Sequence, residues 1–129
     1  MKKVAVVIVL IFLETVSFAQ NLNCSDFKKG TFVNIRENVQ KETIKRTSKY
    51  QYEKIEDKRI KLRIAWLDEC TYKLVFVKAN KAWWTSHGNN PTYNVIVKII
   101  EIKDNTCFQE AKFENIDDFV YKSTILKIK

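Results

Sequence analysis

Three cysteines, one histidine and two adjacent tryptophans are the residues of this 129-residue chain with the most distinctive chemistry. Cys24, Cys70 and Cys107 allow three single pairings and leave one thiol over. The favoured bridge is Cys24–Cys70: Cys24 stands just before the first strand-like run, and Cys70 closes the tight reversal Leu67-Asp68-Glu69-Cys70. A bridge across that span contributes about 4 kcal/mol on the chain-entropy account. Cys107 falls within a strand-like run and reads as a small buried hydrophobe. His87 has no recognisable Ser/Asp partner set, and no CxxC pair supplies a zinc site. The adjacent carboxylates Asp68-Glu69 and Asp117-Asp118 diverge as neighbours in turns, whereas acid–base work needs two carboxyls converging from different chain positions. The only glycines, Gly30 and Gly88, cannot build a G-x-G-x-x-G turn or a Walker loop. Neither an enzyme nor a bound cofactor or metal is expected.

Two stretches remain as binding candidates. Lys78 to Pro91 has no strand period and carries Trp83, Trp84, His87 and the only proline. Adjacent side chains on an extended chain point to opposite sides, so both indoles are buried only if the segment is covered or locally helical. It reads either as a ligand-contacting loop at a barrel mouth or as a plug closing one end of the core. The second stretch, Lys28 to Arg63, holds twelve Lys/Arg against five acidic residues. Lys45, Lys49, Lys61 and Arg63 fall on polar strand sides with Tyr50 and Tyr52 nearby. If those strands are neighbours they form a positive stripe, which suits an acidic partner or serves as a solvated face that blunts a sheet edge.

The elements that position these residues follow a period of two. Gly30–Ile35 opens the series. Thr43–Glu53 carries Ile44, Tyr50 and Tyr52 on one face, interrupted by Arg46 and Ser48 as expected near an edge or rim. Ile60–Trp66 and Thr71–Lys78 form a hairpin with Tyr72, Leu74 and Phe76 on one face. Thr92–Lys103 places Tyr93, Val95, Val97 and Ile99 on one side and Ile96, Ile100 and Ile102 on the other, so it is expected to be covered on both. Asp104-Asn105 and Asn115-Ile116-Asp117-Asp118 turn the chain into Thr106–Glu114 and Phe119–Lys129. Short strands at this spacing predict an all-β antiparallel barrel or sandwich of about seven strands in one domain, residues 20–129.

Residues 1–19 read as a secretory signal peptide. Lys2 and Lys3 precede ten apolar residues, and Ser17 and Ala19 provide small residues before a cut. Ten residues cover half of the ~20 that a membrane-crossing helix needs, so the processed chain is not expected to span a membrane. The net charge of +8 becomes +7 once Lys2, Lys3 and Glu14 are removed. The blocks Asn23–Phe32 and Ile64–Leu74 resemble a family of small exported bacterial proteins, some labelled "DNA topoisomerase IV". That resemblance implies a Cys24–Cys70 pair and brings no catalytic residues. A topoisomerase needs a nucleotide site, a tyrosine nucleophile and metal-binding carboxylates, which 110 exported residues do not accommodate. Gly30-Thr31-Phe32 opening an antiparallel series is also similar to lipocalin-like barrels. These readings imply an exported binding module, periplasmic or extracellular in a Gram-negative-type bacterium. It would take a small apolar or amphipathic ligand at Trp83, Trp84, Tyr50 and Tyr52, or an acidic envelope protein at the basic face. Nucleic acid is not expected.

Overall fold

A computed structural model of the chain describes residues 22–35, 42–88, 92, 94–116 and 120–129. The signal segment, Tyr93, the 89–91 end of the tryptophan stretch and Asp117-Asp118 lie outside the described residues.

The alternating pattern folds as eight antiparallel strands: β1 (Gly30–Ile35), β2 (Glu42–Arg46), β3 (Tyr50–Ile55), β4 (Lys58–Asp68), β5 (Thr71–Ala79), β6 (Val95–Lys103), β7 (Thr106–Phe113) and β8 (Val120–Lys127). Each pairs with the next, and β8 returns to β1, so the sheet closes into a barrel rather than a sandwich. A 3-10 turn, Cys24–Phe27, precedes β1, and one helix, α1 (Lys81–His87), joins β5 to β6. This is the up-and-down closure that removes sheet edges altogether.

The strand count is eight because the expected run Thr43–Glu53 is two strands, β2 and β3. The chain reverses at Thr47–Lys49 without glycine, proline or asparagine. Thr47 Oγ1 accepts from the amides of Lys49 (3.3 Å) and Tyr50 (3.0 Å), a hydroxyl doing the work of a turn residue. Arg46 therefore does not mark an edge, since β2 is paired on both sides. It is the last inward residue of its strand and is 4% exposed.

Three register shifts mark surplus residues on the barrel wall: Leu67 and Val77 in the β4–β5 pair and Ile100 in β6–β7. All three are exposed, at 57%, 41% and 45%. A bulged residue has no partner opposite it and is free to turn outward. The Ile100 bulge also resets the phase of β6. Ile99 and Ile102 both face in, and Ile100 points to solvent instead of being covered as expected.

One end of the barrel is closed. Phe27, from the 3-10 turn, stacks on Phe32 with ring centroids 5.8 Å apart, and Trp66 packs on Tyr72 at 4.8 Å. Ile64, Ile99, Cys107 and Ile125 complete that apolar floor. The disulfide Cys24–Cys70, with Cα atoms 5.4 Å apart, ties the turn to the β4–β5 reversal beneath it. Gly30, at φ +130°, is required here: a Cβ on it would overlap the Lys129 carbonyl, which accepts from Thr31 N at 3.0 Å. Among the described residues Cys107 is the one free thiol, fully buried on β7.

Candidate functional site: a two-walled barrel cavity

Above the floor the barrel holds a cavity of about 1180 Å³. Its two walls differ in chemistry because the inward positions of different strands do. β4, β5 and β6 supply Ile60, Leu62, Leu74, Phe76, Val95 and Val97. β1, β2 and β3 supply Asn34, Glu42, Gln51 and Glu53 around Ile44, and β7 and β8 add Gln109 and Ser123. An eight-stranded barrel has an interior that side chains either fill or leave open for one small ligand. Here large apolar residues fill the lower half, and the mixed upper half remains open.

The boundary between the two halves is a buried polar network centred on Arg46. Its Nε donates to Gln51 Oε1 (2.7 Å), one terminal nitrogen to the Phe27 carbonyl (2.7 Å) and the other to Tyr72 Oη (2.6 Å). The guanidinium also lies over the rings of Phe32 (5.0 Å) and Tyr72 (4.6 Å). From there the bonds run outward in two arms. Gln51 Nε2 donates to Glu53 Oε2 (2.5 Å), so a carboxylate terminates one arm. Tyr72 Oη donates to Gln109 Oε1 (2.9 Å), and Gln109 Nε2 donates to Ser123 Oγ (3.1 Å). Burial raises the Tyr72 phenol above its ordinary value despite the nearby Arg46 charge, so it remains a neutral donor at physiological pH. Burial likewise pushes the Cys107 thiol up to about 11, against a smaller opposing pull from Arg46, which suits a packing residue rather than a nucleophile.

The mouth is framed by α1. Asn80 caps the helix, its Oδ1 accepting from Trp83 N (3.0 Å) and Arg59 N (3.1 Å), while its Nδ2 donates to the Asp57 carbonyl (2.6 Å). That cap fixes the helix against the β3–β4 turn. Trp83 stacks on His87 (3.8 Å, 13° between planes) and packs on Phe76 (5.7 Å), and both Trp83 and His87 line the cavity. Trp84 packs edge-on against Phe76 and Trp83 and is 38% exposed. The local helix answers the problem of two adjacent indoles by turning one inward and leaving the other at the rim.

The remaining sequence candidates lie elsewhere. Tyr50 and Tyr52 face outward and contribute nothing to the cavity, because their strand alternates in the opposite phase to Gln51 and Glu53. They join the basic residues on the outer wall. Register places Lys45 opposite Tyr52, Tyr52 opposite Lys61 and Lys61 opposite Lys78, with Arg63 opposite Tyr50. Lys61 Nζ is 4.1 Å from the Tyr50 ring and 5.7 Å from that of Tyr52. Lys49 belongs to the turn between β2 and β3 rather than to a strand. An outer groove of about 760 Å³ runs past Lys45, Tyr52, Lys54, Arg59, Lys61 and Lys78.

Asp68 is the last residue of β4, and Glu69 stands in the turn that follows it. Asp68 Oδ1 accepts from Cys70 N (2.9 Å), the leading cause of its lowered carboxyl value, and Glu69 is 3.7 Å from Lys28 Nζ. Among the described residues no group of three His, Cys, Asp or Glu side chains is placed to hold a metal ion.

The polar cavity residues were not singled out from the sequence, yet a signal was present. Arg46 continues the inward alternation of Ile44, and Gln109 that of Cys107, so polar side chains at core parity were legible as inward-facing. No family profile, curated protein sequence or solved structure matches this chain.

Replacing Arg46 with Met keeps much of the volume but leaves Gln51 Oε1, the Phe27 carbonyl and Tyr72 Oη each short of a donor. Each unsatisfied buried group costs about 1–3 kcal/mol, so Arg46→Met is expected to lower stability by about 3 kcal/mol or more. Urea unfolding checks this: the midpoint falls while the slope stays unchanged.

Proposed function

We propose that this chain is an exported, non-enzymatic binding module that holds a small amphipathic molecule inside its barrel. The observation that carries the reading is the cavity itself, with an apolar wall on β4–β6 facing a hydrogen-bonding wall on β1–β3. A wholly apolar ligand would leave the amides and carboxylates of the second wall against hydrocarbon, and a wholly polar one would waste the first. An amphipathic molecule satisfies both. Trp83 and His87 at the rim would close over it. The disulfide supports the exported part of the reading, since such bonds persist in oxidising compartments. Among the described residues no helix is long and apolar enough to cross a membrane, which is compatible with it.

A cavity-filling variant tests the proposal. Ala111 lines the cavity across from Val97. Ala111→Trp is expected to weaken binding of the neutral fluorophore N-phenyl-1-naphthylamine at least tenfold, with the barrel's circular dichroism retained. Equal affinity in the two proteins would remove the cavity as the binding site.

The outer wall favours a second reading, a module that docks an acidic protein. The row Lys45, Tyr52, Lys61 and Lys78 crosses four strands with no carboxylate in it. On that reading the protein is retained on immobilised polyglutamate at low salt. It elutes as ionic strength passes roughly 0.1 M, where screening sets in beyond about 10 Å. Retention that survives Lys61→Glu combined with Arg63→Glu would contradict it.

A further inference from the structure

Closure of the barrel removes one explanation for its basic outer wall. Lysines that blunt a sheet edge have no edge to protect here, because every strand is paired on both sides. Yet the outer groove past β2–β5 is lined by Lys45, Lys54, Arg59, Lys61 and Lys78. Lys61 is half-buried and the other four are exposed. Glu53 also borders the groove, but it belongs to the inward phase of β3 and accepts from Gln51 Nε2. Glu56 and Asp57 stand in the β3–β4 turn, outside the groove's lining.

Within that groove the register sets like charges face to face. Lys54 lies directly opposite Arg59 in the β3–β4 pair, and Lys61 directly opposite Lys78 in the β4–β5 pair. Directly opposed side chains are rooted about 5 Å apart, and like charges so placed are destabilising. Charged partners in the other described registers have opposite signs: Lys98 lies opposite Glu110, and Glu110 opposite Lys122. Lys73, on β5, has its own carboxylate in Glu114, 2.6 Å away. Arg59 and Lys61 are two residues apart on β4, so the two like-charged pairs are about 7 Å apart along the strand. The rings of Tyr50 and Tyr52 hold Lys61 Nζ at this wall. An anion seated between the members of each pair turns their repulsion into attraction.

We propose that this groove is a binding site for a soluble compound with two phosphoryl groups, one between Lys54 and Arg59 and the other between Lys61 and Lys78. A phosphate monoester carries about 1.5 to 2 negative charges at neutral pH and three strong acceptor oxygens. One such group balances a pair of cations and accepts from both, whereas a carboxylate leaves one positive charge over. Arg59 offers the planar fork that suits phosphate, and lysine binds it as a point charge. Lys45 adds a further positive charge in the row of Lys61 and Lys78. The site goes beyond both readings above, since it needs neither an occupied cavity nor an acidic protein surface.

Calorimetric titration of the purified chain at pH 7.5 and low salt tests this with 1,3-propanediol bisphosphate, propyl phosphate and glutarate. The bisphosphate is expected to bind at least tenfold more tightly than propyl phosphate, the gain from tethering two groups on one molecule. It is expected to exceed glutarate, which spaces two carboxylates on three carbons, by a similar factor. Lys61→Gln combined with Lys78→Gln is expected to reduce the bisphosphate to the affinity of propyl phosphate, with circular dichroism unchanged. Lys103→Gln combined with Lys112→Gln removes the same charge from exposed positions on β6 and β7 and is expected to leave the affinity intact. An equal loss in the two double variants would overturn the site, because net charge rather than the opposed pairs would then be responsible. Glutarate binding as tightly as the bisphosphate would overturn the phosphoryl assignment and leave the acidic-protein reading standing. Binding confined to vesicles of phosphatidic acid, with none to the soluble bisphosphate, would overturn the assignment to a soluble ligand. A chain that binds neither the bisphosphate nor polyglutamate would overturn the site and the acidic-protein reading together.

Discussion

A guanidinium buried at the floor of the barrel is the constraint on which the other features depend. Taking an unpaired charge out of water is among the most costly acts in folding. Arg46 meets that cost with three oxygens, each contributed by a different part of the chain: the 3-10 turn through the Phe27 carbonyl, β3 through Gln51 and β5 through Tyr72. The aromatic faces of Phe32 and Tyr72 add contacts from β1 and β5. The floor forms fully only when those elements are in place, which links closure of the barrel to docking of the N-terminal turn. The disulfide beneath reinforces the same docking covalently.

The network also explains why the interior divides into a packed half and an open half. Below Arg46, the inward residues Phe32, Ile64, Ile99, Cys107 and Ile125 are apolar, and those side chains belong to one packed core. Above it, the arms of the network place Gln51, Glu53, Gln109 and Ser123 along the wall and hold them in hydrogen bonds to one another. Polar groups fixed in that way cannot collapse inward to fill the space, because each would give up a partner. The cavity is thus a consequence of the floor's polarity, and its two-walled character follows from which strands the network crosses.

Much of this architecture is visible in the alternation of the chain. Ile60–Trp66 against Tyr72–Phe76 reads directly as an inward-facing hairpin, and β1, β7 and the Cys24–Cys70 pair are equally legible. What escapes the pattern has local physical causes. The β2–β3 reversal uses a threonine hydroxyl in place of the usual turn residues, so the two strands look like one. The bulges at Leu67, Val77 and Ile100 shift phase by one residue, which a strict period of two cannot register. Arg46 looked like an interruption because an isolated charge on an apolar face suggests an edge. Arg46 is bonded to Phe27 and Tyr72 across 19 and 26 residues, and Tyr72 to Gln109 across 37, separations that the folded barrel brings together. The tyrosines of β3 were grouped with the tryptophans by chemistry, yet strand parity puts them on opposite sides of the wall.

Native mass spectrometry of the protein purified from its natural source, before and after extraction with organic solvent, addresses the carrier account most directly. The account predicts a small organic molecule bound one to one, retained under gentle ionisation and released by extraction. A protein that consistently shows only the mass of its own polypeptide before extraction, and that binds no added N-phenyl-1-naphthylamine, would contradict it.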